Sequence, residues 1–140
     1  MKVISCTLAL LACPAAPSYA QTAGAVYAEL AGPGYFYSVN AELPVAEGLT
    51  VRFGGTLMPA WFVGGIAGIN KLLGRGNHHL ALGMGVIVRK GSDVDGAIAS
   101  ATIGYRYARP GGLFFQLAAT PIFDDRRVYP WAGLSIGKAY

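Results

Sequence analysis

Apolar and polar residues alternate with a period of two along most of the chain, the pattern of β-strands whose successive side chains point to opposite faces. One segment sets Tyr35, Tyr37, Val39, Ala41 and Leu43 against Phe36, Ser38, Asn40 and Glu42. The next sets Leu49, Val51, Phe53, Gly55 and Leu57 against Thr50, Arg52, Gly54 and Thr56. Leu80, Leu82, Met84, Val86 and Val88 then oppose His79, Ala81, Gly83, Gly85 and Ile87. Ala97, Ala99, Ala101, Ile103, Tyr105 and Tyr107 oppose Ile98, Ser100, Thr102, Gly104 and Arg106. One face is uniformly apolar; the other mixes polar, charged and glycine positions. The remaining segments alternate less cleanly, and the stretch from Trp61 to Leu73 predicts a bulged strand.

Turn chemistry cuts the chain into eight such segments, at Gly32-Pro33-Gly34, Pro44 to Gly48, Met58-Pro59, Gly74 to Asn77, Gly91 to Asp93, Pro110 to Gly112 and Asp124 to Arg127. Each unit is about 15 residues, enough for a turn and a strand of roughly 9 to 11 residues that crosses a bilayer at a tilt. No domain boundary or low-complexity linker interrupts them. The pattern therefore predicts an all-β fold, an eight-stranded antiparallel up-and-down transmembrane β-barrel.

Charge decides which face is outside. A soluble barrel of the lipocalin type hides its apolar face and needs a charged exterior, yet the mid-strand charges are only Glu29, Glu42, Arg52 and Arg106. Turned the other way, the apolar face meets lipid and two acids and two bases share the lumen, where buried charges persist only when paired. Glu42 and Arg52, on neighbouring strands, are expected to face each other. With Asn40, Gln116 and several Ser and Thr side chains they form the predicted lumen network, leaving room at Gly54, Gly83, Gly85, Gly104, Gly133 and Gly137 for Tyr27, Phe36 and Trp131. The outward series carries charge only near strand ends, at Lys71 and Lys138, where long side chains snorkel to the interface. Outward aromatics fall into two groups, Tyr35, Trp61 and Phe123 near one set of turns and Tyr105, Tyr107, Phe115 and Tyr140 near the other, as membrane-interface girdles do.

Composition narrows the class further. The chain of 140 residues is 54% hydrophobic and 13% charged, with 20 glycines, too apolar for a disordered polymer or a nucleic-acid module. Its net charge of +4 is scattered along the sequence and implies neither nucleic acid nor an acidic partner. A helical membrane protein is the architectural rival, because Phe53 to Asn70 carries no charge and contains Gly64-x-x-x-Gly68; its glycines, Pro59 and its period-two flanks oppose that reading.

Residues 1–20 have the form of a secretory signal, with Lys2, an apolar core from Val3 to Ala12, and Ser18-Tyr19-Ala20 as a small-x-small cleavage site. Cleavage there leaves 21–140 as the barrel and removes both Cys6 and Cys13, so no disulfide or thiolate site is expected. The alternative is a lipobox at Leu10-Leu11-Ala12-Cys13 with lipidation at Cys13. Either route exports the chain.

The mature segment resembles the small eight-stranded outer-membrane β-barrel proteins of Gram-negative bacteria, most specifically in its end, Leu134-Ser135-Ile136-Gly137-Lys138-Ala139-Tyr140. The resemblance implies recognition of the C-terminal strand by the barrel-assembly machinery, with Lys138 departing from the usual apolar pattern. It also implies periplasmic termini. The barrel is expected to be a monomer without cofactor, surrounded by outer-membrane lipid and lipopolysaccharide. Arg89-Lys90, Asp93, Asp95 and Asp124 to Arg127 read as solvated loops, with contact to lipopolysaccharide phosphates as the functional alternative.

No residue set points to catalysis. His78 and His79 are adjacent, so in a strand they face opposite ways and do not chelate a metal together. A lipid-modifying enzyme would need its serine, histidine and acid at the outer rim, whereas this turn falls on the periplasmic side. The reading is a structural or interaction role in the cell envelope with a plugged lumen. A narrow channel or small-solute binder is the rival.

Overall fold

A computed structural model describes residues 22–58, 62–91 and 95–140. The leader with Cys13, and Trp61, lie outside the described residues. The strands are β1 (Ala25–Ala31), β2 (Tyr37–Ala46), β3 (Leu49–Met58), β4 (Phe62–Arg75), β5 (His78–Gly91), β6 (Gly96–Ala108), β7 (Leu113–Ala119), β8 (Ile122–Asp124), β9 (Arg127–Tyr129) and β10 (Ala132–Ala139). Antiparallel ladders join β1 to β2, and so on to β7, then β7 to β10 and β10 back to β1. The result is a closed barrel of eight staves, so its interior side chains need no second layer to cover them.

Two staves are broken rather than continuous. β8 and β9 extend β7 and β10 beyond interruptions at Thr120-Pro121 and Pro130-Trp131, where proline has no N–H to give to the ladder. β8 pairs with the start of β6 and with β9. The charge-free run from Phe53 is β3 and β4 on both sides of 59–61, not a helix. The bulge expected in the fourth stave is absent from its described ladder, which keeps one register throughout. The irregularity sits instead in β2 between Pro44 and Ala46, again where a proline cannot donate.

The hairpins define two ends. Gly48 and Gly76 turn β2 into β3 and β4 into β5 with φ of 65° and 61°, the left-handed backbone that tight turns ask of glycine. Those turns, the β6–β7 connection and the described termini, joined by hydrogen bonds between Gly24 and Tyr140, make one end, here the terminal end. The 3-10 turn Gly32–Gly34 and the β8–β9 turn belong to the opposite end.

Inside, polar groups are interleaved with two apolar clusters. Ala25, Tyr27, Ala108, Phe114 and Ala139 cluster toward the terminal end. Ile66, Ile87, Ile98 and Ile122 cluster toward the opposite end, with Tyr35 and Trp131 packed against them. Outside, Val39, Phe53, Val63, Val88, Ile103, Leu117 and Ile136 are all exposed.

Candidate functional site

The lumen network is built by inward positions of seven strands. Inward glycines stand directly across from its bulky members: Gly54 opposite Asn40, Gly83 opposite Asn70 and Gly137 opposite Tyr27. A Cβ on any of the three would collide with that neighbour. The narrow bore is thus filled by pairing large side chains with none.

Glu42, on β2, is fully buried and saturated with donors. It accepts from Tyr27 Oη at 2.8 Å, Thr50 Oγ1 at 2.8 Å and Asn70 Nδ2 at 2.9 Å. Arg106 reaches it from the far wall with both Nη atoms, at 2.7 and 2.8 Å, the bidentate fork that makes arginine–carboxylate pairs strong. Arg106 Nε donates to Gln116 Oε1 at 2.7 Å. A second ion pair joins Arg52 to Glu29, with Arg52 Nε donating to Asn40 Oδ1 at 3.1 Å and Glu29 also accepting from Ser38 and Ser135.

Between the two pairs lie two aromatic rings, Tyr27 and Phe114, stacked with centroids 4.4 Å apart. Arg52 sits over the Tyr27 ring at 5.7 Å and Arg106 over the Phe114 ring at 5.1 Å. Each guanidinium therefore has a carboxylate in its plane and a ring face beneath it.

The structure brings Glu29, Glu42, Arg52, Arg106, Asn40 and Gln116 together in the lumen, but not with the expected partners. Glu42 and Arg52 are register neighbours on β2 and β3, yet they are not ion-paired with each other. In a narrow bore long side chains reach past their register neighbours, so Arg52, oriented by Asn40, reaches Glu29 across β2, while Arg106 reaches Glu42 from the far wall.

Two aromatic placements also change. The alternation predicts Tyr35 outward and Phe36 inward; in the structure Tyr35 packs on the interior isoleucines, while Phe36 is exposed. The cause is local: Ala31 and Tyr35, on either side of the 3-10 turn, both have positive φ, so the alternation of β2 begins only at Tyr37. Phe36, Tyr37, Phe123 and Tyr129 are the exposed rings described at the opposite end. At the terminal end Tyr105 and Tyr140 are exposed, and Tyr107 and Phe115 are half-buried. Trp131 is half-buried, its Nε1 donating to the Tyr35 carbonyl at 3.3 Å.

The sequence predicts a solvated loop at Arg89, but the residue continues the inward series two positions past Ile87 and donates to Tyr35 Oη at 3.1 Å. Counting the alternation to the end of its strand finds it. The histidines diverge as strand geometry requires. His78 is exposed and shares a 2.7 Å hydrogen bond between Nδ1 and Tyr105 Oη. His79 is buried, with no hydrogen-bond partner for either ring nitrogen. Among the described residues no three His, Cys, Asp or Glu side chains converge on a metal position.

No protein-family model and no curated protein sequence matches the chain. Among solved structures, the N-terminal β-barrel domain of Pseudomonas aeruginosa OprF superposes with a TM-score of 0.66 at 13% identity, covering 86% of this chain and 98% of that domain. At that identity the likeness is one of fold.

Proposed function

We propose that the protein is an outer-membrane β-barrel with a structural or interaction role in the cell envelope and a lumen plugged by its own ion pairs. The observation that carries this reading is the inversion of polarity: large apolar side chains cover the outside of a closed barrel while two acids and two bases are paired within it. Closure satisfies the backbone hydrogen bonds between staves, the condition for crossing hydrocarbon with strands. The fold shared with the OprF domain accords with it.

The lumen supports a plug rather than a conduit or a catalyst. Its carboxylates are engaged by arginine and hydroxyl or amide donors, and the stacked rings occupy the bore between the ion pairs. The test is fractionation with heat-modifiable migration on detergent gels, followed by planar-bilayer recording. The expected result is a compact band in the outer-membrane fraction and no steady conductance. Recovery as a soluble periplasmic protein overturns the membrane assignment, and stable ion currents overturn the plug.

A further inference from the structure

Of the surplus of four positive charges scattered in sequence, one is Lys2, outside the described residues, and the other three are gathered by the fold onto one rim. Within the lumen Glu29 and Glu42 offset Arg52 and Arg106. Toward the opposite end the cations Arg89 and Lys90, at the end of β5, and Arg126 and Arg127 are accompanied by Asp95, Asp124 and Asp125, and Asp93 stands between β5 and β6 in the sequence. Among the described residues the terminal end has Lys71, Arg75, Arg109 and Lys138 against one acidic side chain, Glu47. Arg75, Arg109 and Lys138 are exposed and Lys71 half-buried. None of the four is in an ion pair among the described residues.

Their distribution identifies the partner. Lys71 and Arg75 are on β4, Arg109 follows β6, and Lys138 is on β10, four staves from β4 in the ring of eight, so the cations reach diametrically opposite sides of the barrel instead of forming one docking face. Lys71 and Lys138 belong to the outward, lipid-facing series, and Tyr105, with His78 hydrogen-bonded to it, is exposed on the same rim. Amphipathic rings beside long cationic side chains suit the level of lipid phosphates. A single acidic protein touches one side of a barrel; a leaflet surrounds it.

Resting on the outer-membrane reading above, we infer that the terminal rim binds anionic phospholipid headgroups, which would hold that end in the phospholipid leaflet. The rim cations supply charge attraction and the tyrosines fix depth. The attraction between a basic side chain and an anionic surface corresponds to about a five-fold local enrichment per residue and falls with salt.

The test uses the full chain in phosphatidylcholine vesicles with and without phosphatidylglycerol. Lipid selectivity is read from native mass spectra, and retention of the compact gel band on heating is read in parallel. Phosphatidylglycerol is expected to be enriched on the wild-type barrel and to raise its melting temperature, both effects shrinking in high salt. Combined Lys71→Gln, Arg75→Gln, Arg109→Gln and Lys138→Gln substitutions should abolish both. Lys71→Arg with Lys138→Arg should keep both, as should Lys90→Gln with Arg126→Gln and Arg127→Gln at the opposite rim. Undiminished selectivity in the fourfold variant, or equal loss from the opposite-rim variant, overturns the inference. A wild-type chain that inserts into both vesicles without lipid preference overturns this inference alone, whereas a chain that enters neither overturns the membrane reading beneath it.

Discussion

Glu42 is the residue on which most of the lumen depends, because three neutral donors and one guanidinium converge on its two oxygens. Glu42→Ala strands Arg106 as an unpaired buried charge and is expected to cost about 3 to 5 kcal/mol, measured as unfolding of the refolded barrel by urea in detergent micelles. Double-mutant cycles should give interaction energies of roughly 1 to 3 kcal/mol for Glu42 with Arg106 and for Glu29 with Arg52. The register neighbours Glu42 and Arg52 should show the smaller coupling, since each is committed elsewhere; equal coupling would mean that the partners exchange. His79 is the opposite case. Its ring is buried beside Arg106 in the β5–β6 ladder with neither nitrogen bonded, so replacing it removes a desolvation penalty that nothing offsets. His79→Leu should leave urea stability unchanged or raise it by about 1 kcal/mol, where loss of more than that would reveal a hidden partner.

At the scale of the strand, stability depends on which inward positions are glycine. Gly137→Ala on β10 drives a methyl into Tyr27, whose backbone and Cβ have no room to move within the ladder, and should destabilise by about 1 to 3 kcal/mol. Gly65→Ala on β4 meets nothing within 4 Å and should unfold as wild type does in the same titration. The alternation that separates these two glycines is plain in the sequence wherever a strand runs unbroken, which is why the inward sets of β3, β5 and β6 can be read from it. It fails where the chain leaves the ladder. Tyr35 and Phe36 follow a 3-10 turn, and Thr120-Pro121 and Pro130-Trp131 break the last two staves, so counting by twos across them loses the frame. The pairing of the acids and bases is hidden for another reason: alternation places four charges in one bore, but who meets whom depends on reach across the lumen, and neither strand order nor register encodes that distance. The stacking of Tyr27 on Phe114 is likewise a contact between non-neighbouring staves, β1 and β7.

For the whole molecule, the two orientations available to an eight-stranded barrel make opposite predictions about the outer face. If the apolar side meets hydrocarbon, the cost of a charge there depends on depth; if it meets water or a soluble partner, depth has no meaning. Phe53 lies midway along β3 and is exposed, and Val45 is exposed near the terminal end of β2. Phe53→Arg should therefore cost about 2 to 4 kcal/mol, and Val45→Arg about 0 to 1 kcal/mol, for barrels folded into lipid vesicles. The same pair in water-filled surroundings should differ little, because both residues sit on an open surface and neither contributes to the lumen. The measurement is the urea dependence of tryptophan fluorescence on refolding into vesicles. A difference that follows distance from the rims would identify hydrocarbon as the solvent of this face, and equal tolerance at both sites would return the chain to the soluble-barrel reading. That outcome would also remove the reason for a basic terminal rim, since the asymmetry of Lys71, Arg75, Arg109 and Lys138 has a physical role only where one end of the barrel meets anionic headgroups and the other, with its cations and carboxylates matched, does not.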